Sequence, residues 1–491
     1  MRAGRLNPAI FLTEEASLND DRSRRAQKWV NEEFYKVLDV FGFRSVMFVE
    51  WGFRPADVRR TTERIKHPMA VVKQWVRTAE QEHKLAEETE SAGNRESAAE
   101  FYYRAALYYG PACGVIHANT PRKLELYKRL IYCYTRFTEL FEEAPVKRVE
   151  IPFENGKTIP GILQLVPGAK KSPCVLVIPG MDTIKEYMPS PYHNHFRRRG
   201  MATLSIDGPG QGESNTRETW VTLDNFERAG KAALDFIEKI PELDASKIGI
   251  YGWSMGSYWG PRVAAFDNRV KALVGAMGNY LQKDTIFKHS KPAYRANYMY
   301  MSNIRDEDEF DAMAAKMTLE PIASRIKCPT LLAMGEFDEL CPLEDGERMF
   351  ALLTCPKEMW VYEDETHTLA ARSPTSICGW PTGCATRSMA ISPRATRSAS
   401  TIPRDNFAGK APLGSSERPQ HKDGLGSGVL RRLQRQVPPG ASAFSPPPRL
   451  GQLSEAPGGK GCSESPRISN FCIIADQSSF AGIDNQCFFA H

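Results

Sequence analysis

The 11 cysteines form no Cys-x-x-Cys pair and no Cys/His cluster at zinc spacing. Neither a disulfide framework nor a metal site is therefore indicated, and buried or incidental thiols are expected. Apolar runs of membrane-span length are missing throughout, and no signal-peptide core separates Met1 from the acids that follow Leu12. We therefore expect a cytoplasmic protein with no membrane partner. Strong charge asymmetry is missing as well. The net charge of +5 traces to residues 373–491, which hold 13 Lys and Arg against 7 Asp and Glu and leave −1 for the remainder. A nucleic-acid partner is not expected for the folded part.

What is present is the composition of a globular protein, 42% apolar and 25% charged over 491 residues, with room for two domains and an extra segment. Residues 1–145 lack strand alternation after about position 25 and read as helices, including Met69–Thr89, Glu96–Tyr109 and Pro121–Glu142. Phe101, Tyr102, Tyr108 and Tyr109 crowd one of these, and core packing is preferred to a binding stripe. Residues 146–372 alternate short apolar strands with helices, among them Cys174–Ile178, Ala202–Ile206, Ile248–Tyr251, Thr330–Met334 and Glu358–Tyr362. That order predicts an α/β fold, a mostly parallel sheet with helices on both faces, whose site lies beyond the carboxyl ends of the strands. Residues 373–491 are rich in Ser, Pro, Gly and Arg, and not one of the 17 tyrosines lies beyond Tyr362. Such a stretch cannot bury enough apolar area to offset its ordering entropy, so disorder is expected.

Gly252-Trp253-Ser254-Met255-Gly256 follows one of these strands and opens a helix. Small residues flank the serine because the strand-to-helix turn is tight, and the hydroxyl then stands above the sheet. A serine hydroxyl becomes nucleophilic only when a base takes its proton, and in such folds the chain order is serine, acid, histidine. His367, His421 and His491 follow a plausible acid, and only His367 precedes the tail. Asp338 follows the strand at Thr330–Met334 and is the expected acid, with Glu336 the main alternative and Asp345 and Asp364 weaker ones. The backbone amides of Met255 and, after Pro179-Gly180, Met181 are the expected oxyanion donors. The glycine run Asp207 to Ser214 lacks the Lys-Ser/Thr of a phosphate loop and is expected to be a structural loop beside the site.

Together, Gly180-Met181-Asp182 with Lys185-Glu186, the glycine run, the serine elbow and the helical N-terminal region resemble one branch of the α/β-hydrolases. It includes the 2,6-dihydropseudooxynicotine hydrolases, the fungal heptaketide hydrolases of pigment synthesis and the FrsA-like esterases. The resemblance spans roughly residues 25 to 372. It implies an N-terminal helical lid, homodimers, no cofactor, and in several members cleavage of a carbon-carbon bond beside a ketone. It implies the catalytic roles for Ser254, Asp338 and His367. Asp284 is the nearest counterpart to an extra acid that some carbon-carbon hydrolases carry. The expected substrate is a small β-diketone or polyketide-like ketone; a carboxylic ester is the alternative, and an inactive binding protein of the same shape is the alternative of another class. Residues after about Ala371 are also expected to be out of frame. Read one base earlier, Trp380-Pro381 forces alanine and Met389-Ala390 forces glycine, while the overlaps after the alanine permit Asp, Trp, Leu and Arg in turn. That run reads as a helix with its C-cap and resembles the terminal helix of related hydrolases.

Overall fold

Alternating apolar strands and helices do assemble into one sheet. The computed structural model describes residues 48–278 and 281–369. The expected disorder and frame change of residues 373–491, and helices before residue 48, lie outside the described residues.

Eight strands make up the sheet: β1 (Val146–Pro152), β2 (Thr158–Gln164), β3 (Ser172–Ile178), β4 (Ala202–Ile206), β5 (Leu243–Trp253), β6 (Val270–Ala276), β7 (Thr330–Gly335) and β8 (Lys357–Tyr362). Their spatial order is β1-β2-β4-β3-β5-β6-β7-β8. The pairs β1/β2 and β2/β4 are antiparallel, and every other neighbouring pair is parallel. The central strands β3, β4 and β7 bury almost every residue, as strands covered on both faces must. The edge strand β8 is only half-buried.

The helical segment contains α1 (Pro55–Glu63), α2 (Val71–Ser91), α3 (Arg95–Gly114) and α4 (Pro121–Leu140). Helix α4 starts where Pro121 cannot donate, and the Thr120 side chain accepts from the Lys123 amide to cap the first turn. Helix α3 is apolar on nearly every side, so it lies between α2 and α4 with Tyr102, Tyr103, Tyr108 and Tyr109 all buried. The preference for core packing over a binding stripe is borne out. Two buried polar contacts there tie the helices together: Arg104 meets Glu82 at 2.8 Å, and the Tyr108 hydroxyl donates to Asp57 at 2.7 Å.

This segment shares one apolar core with the adjoining face of the sheet. Trp51 stacks on Tyr187 at 4.8 Å, and the Tyr103 hydroxyl donates to the Trp51 carbonyl at 2.7 Å. Ile162, Val175, Val177 and Tyr251 continue the same cluster from the strands. The opposite face packs on α6 (Asn225–Ile237) and α7 (Gly256–Phe266), where Phe226 stacks on Trp259 at 4.3 Å; the short α5 (Gly212–Thr216) precedes them. Among the described residues no helix is long and apolar enough to cross a membrane.

Candidate active site

Strand β5 ends at Trp253, and Ser254 takes a φ of +53°, the left-handed conformation that side chains rarely adopt. Two contacts explain why glycine flanks it. A β-carbon on Gly252 would lie 2.2 Å from the Gly256 carbonyl oxygen, and one on Gly256 would lie 2.0 Å from the Ile178 carbonyl oxygen. The Ser254 amide donates to the Ala276 carbonyl at 2.8 Å, which ties the elbow to β6. Strain held by surrounding structure in this way leaves the hydroxyl projecting where α7 begins.

His367 arrives from the loop after β8. Its Nε2 lies 2.9 Å from Ser254 Oγ, and its Nδ1 lies 3.0 Å from both carboxylate oxygens of Asp338. Asp338 follows β7 and is itself fixed, because one oxygen accepts from the amides of Leu340 and Cys341 at 2.9 and 2.8 Å. Burial opposes charge on His367, but the Asp338 carboxylate outweighs it by charge and hydrogen bond, with Glu339 and Asp182 adding to it. The imidazole pKa is thus raised above its ordinary 6.5.

The rival acids have other work. Glu336 accepts from the Asp364 amide at 3.1 Å, and Asp345 accepts from the Gln282 side chain at 2.8 Å. Asp284 is exposed and pairs with Lys288 at 2.8 Å. Glu339, which sequence reasoning missed, accepts the His367 amide at 3.0 Å and so holds the loop that carries His367. No spacing marks that role, because the two residues meet only through the fold.

The turn after β3 runs beside the serine. A β-carbon on Gly180 would lie 3.0 Å from Ser254 Cβ, a contact so tight that the serine would have to give way, and glycine avoids it. The Gly180 carbonyl accepts from Gln211 Nε2 at 2.9 Å and from Thr183 Oγ1 at 3.1 Å. In a trans peptide the following amide points the opposite way, so the Met181 N–H is directed away from those donors. Met255 follows Ser254 and stands at the N-cap of α7.

The glycine run is a structural loop. Gly212, at φ +38°, leaves space that a β-carbon would take from Asp207 Oδ2, at 2.2 Å. Asp207 and the neighbouring acids surround the buried Lys185, whose ammonium lies 2.7 Å from Glu186, 3.0 Å from Asp207 and 2.8 Å from Glu213. Arg148 reaches Glu213 at 3.0 Å from the other side. Burial opposes ionisation of Glu213, yet Lys185 and Arg148 bring its pKa down to about 2.

Beginning at Met181 and Asp182, next to the turn that approaches Ser254, a cleft of about 70 Å³ lies between the helical segment and the loops that follow β3 and β4. Lys123, Tyr127, Tyr187 and Tyr300 contribute to its wall. Among the described residues no group of His, Cys, Asp and Glu is arranged to hold a metal ion, and the six described cysteines are free thiols, five of them buried.

Comparison with known proteins agrees with this architecture. Residues 70–319, about half of the chain, match the family described as esterase FrsA-like. An alpha/beta hydrolase of Xenoacremonium sinensis is 34% identical over 212 residues, covering 41% of this chain and 49% of that protein. The 20-hydroxy-prefusarin hydrolase of Gibberella moniliformis is 32% identical over 267 residues, covering 52% and 61%. The matched segment thus spans about half to three-fifths of these relatives' length. The crystal structure of a 2,6-dihydroxy-pseudo-oxynicotine hydrolase superposes with a TM-score of 0.62 at 23% identity, over 69% of this chain and 95% of that one.

Proposed function

We propose that the chain, which belongs to the FrsA-like esterase family and carries the α/β-hydrolase fold, is a hydrolase with Ser254, His367 and Asp338 as its catalytic triad. The observation that carries this reading is the unbroken relay from Ser254 Oγ through His367 to Asp338, with contacts of 2.9 and 3.0 Å. In it His367 Nε2 takes the Ser254 proton as Oγ attacks a carbonyl carbon, and Asp338 orients the imidazole and stabilises its cation. Negative charge forming on the carbonyl oxygen would be met by the Met255 and Met181 amides.

We further infer that the bond cleaved joins the attacked carbonyl to the carbon beside a ketone, as in a β-diketone or polyketide-like substrate. The leaving carbon then departs as an enolate and receives the proton held by His367. Water, activated by the same imidazole, releases the acyl group from Ser254 and restores the enzyme. One feature supports this choice, the family resemblance carried by the glycine run and elbow. A carboxylic ester would use the same groups, with an alkoxide leaving. Incubation with aryl esters and with acylated aromatic ketones, followed by product identification, separates the two. Fast ester turnover with no ketone cleavage would overturn the carbon-carbon reading.

The helical segment is proposed to wall the substrate site as a lid domain, since it supplies Lys123 and Tyr127 to the cleft beside Met181.

A further inference from the structure

Two polar side chains in the cleft have no role in the triad, and both are almost wholly buried. Tyr127 is 3% exposed, and its hydroxyl has no hydrogen-bond partner among the described residues. A buried hydroxyl left unpaired costs on the order of 1–3 kcal/mol, which a ligand acceptor would recover. Lys123 is 5% exposed. Its ammonium donates to the Ile116 carbonyl and to the Tyr300 hydroxyl, each at 2.7 Å. Both acceptors are neutral, and no carboxylate among the described residues pairs with Lys123. With three N–H donors and two such acceptors, one N–H has no hydrogen-bond acceptor among the described residues, and Lys123 is part of the cleft wall.

Tyr300 passes its own proton to Asn119 Oδ1 at 2.8 Å, and Asn119 bonds the Asn215 carbonyl at 3.0 Å. The lysine is thus held from behind by a chain of fixed groups. Burial lowers the Lys123 pKa to about 8, opposed by Cys113. Burial, with the charges of Asp207, Glu186 and Glu213, raises that of the Tyr127 phenol, which keeps its proton to donate. Tyr127, Tyr187 and Tyr300 line the same space, so its wall offers aromatic surface to an unsaturated group entering from the open side. Asp182, exposed at the mouth, is close enough to act electrostatically on His367, which connects the cleft to the reacting centre.

We propose that Lys123 and Tyr127 form an anchoring subsite for an acidic hydroxyl oxygen carried on an unsaturated ring of the substrate. The inference rests on the reading of Ser254 as the nucleophile, because it assumes that the substrate reaches from that serine past Met181 into the cleft. Lys123 supplies the charge and Tyr127 a directed hydrogen bond. Both act in specificity, apart from the chemical step.

The test is binding, measured on the full chain carrying Ser254→Ala, by titration calorimetry with para-hydroxyacetophenone and with acetophenone. The hydroxylated compound is expected to bind about tenfold more tightly, the size of one hydrogen bond to a charged group. Tyr127→Phe, added to that chain, should remove most of the preference without lowering its melting temperature, since the lost hydroxyl bonds no described residue. Lys123→Met should remove the preference too. Equal binding of the two compounds, binding of neither, or a preference that survives Tyr127→Phe would overturn the subsite. Failure of the Ser254-containing protein to cleave a ketone would instead overturn the proposed reaction, which this binding measurement does not use.

Discussion

Gln211 holds the Gly180 carbonyl through its side-chain amide at 2.9 Å and the Pro179 carbonyl at 3.1 Å, fixing the peptide that directs the Met181 N–H. Its own oxygen accepts from the Gly208 amide at 3.0 Å, so the glycine run acts as a brace for the turn beside Ser254.

That brace can be broken with one atom pair. Gln211→Glu replaces a donor by an acceptor facing two carbonyl oxygens, so the turn must shift. We expect kcat on an aryl ester to fall by about tenfold to a hundredfold, less than complete removal of an oxyanion donor costs, with KM changed much less. Steady-state kinetics with Gln211→Glu check this, and an unchanged kcat would deny the turn a part in catalysis.

The raised pKa of His367 sets a pH dependence with a definite sign. In the proposed triad the neutral imidazole is the base, so kcat/KM should rise with pH through a value above 6.5. Asp338→Asn removes the main group that favours the cation and should move that limb downward while lowering kcat by several orders of magnitude. For stability the sign is opposite. A pKa raised by folding contributes stability that is fully present below the unfolded value of about 6.5 and lost as pH rises through the folded value. A pH–rate profile of both proteins measures the shift; a limb that stays in place in Asp338→Asn would move the acid role to another residue.

Removing Lys185 should destabilise the protein by about 3–5 kcal/mol, because Glu186, Asp207 and Glu213 would be left buried around a missing cation. Urea unfolding of Lys185→Met reads this directly. Glu213 adds an acid dependence: its depressed pKa contributes stability present above its ordinary 4.5 and lost as pH falls through about 2. A Lys185→Met protein as stable as the parent would show that the cluster is not held by that charge.

Deleting residues before about 141 should leave an insoluble protein or an unselective enzyme. The cut would expose Val175, Val177, Tyr187 and Tyr251, which share their core with Trp51, Tyr103 and Phe137. Expression of the truncated chain and its substrate preference decide the matter. A soluble truncation with unchanged preference would refute the lid.

Much of this architecture was legible in the residue order, and the exceptions have a common cause. Ser254 could be read because its elbow demands glycine at 252 and 256, a steric constraint confined to a few neighbouring residues. The strands could be read because central strands buried on both faces are continuous apolar runs. The choice of Asp338 over Glu336 depended on which way each side chain leaves the loop after β7, and spacing does not encode that direction. Glu339, Gln211, Lys123 and Tyr127 were not singled out, since their roles exist only through contacts between segments far apart in the chain.

The central claim is that Ser254 is the nucleophile activated by His367. Treating the full chain with a fluorophosphonate probe and measuring the mass of the peptide containing residue 254 tests it most directly. We predict one covalent adduct on Ser254, no labelling of Ser254→Ala, and labelling slowed by orders of magnitude in His367→Ala. Labelling of Ser254→Ala at the parent rate, or a parent protein that never reacts, would contradict the account.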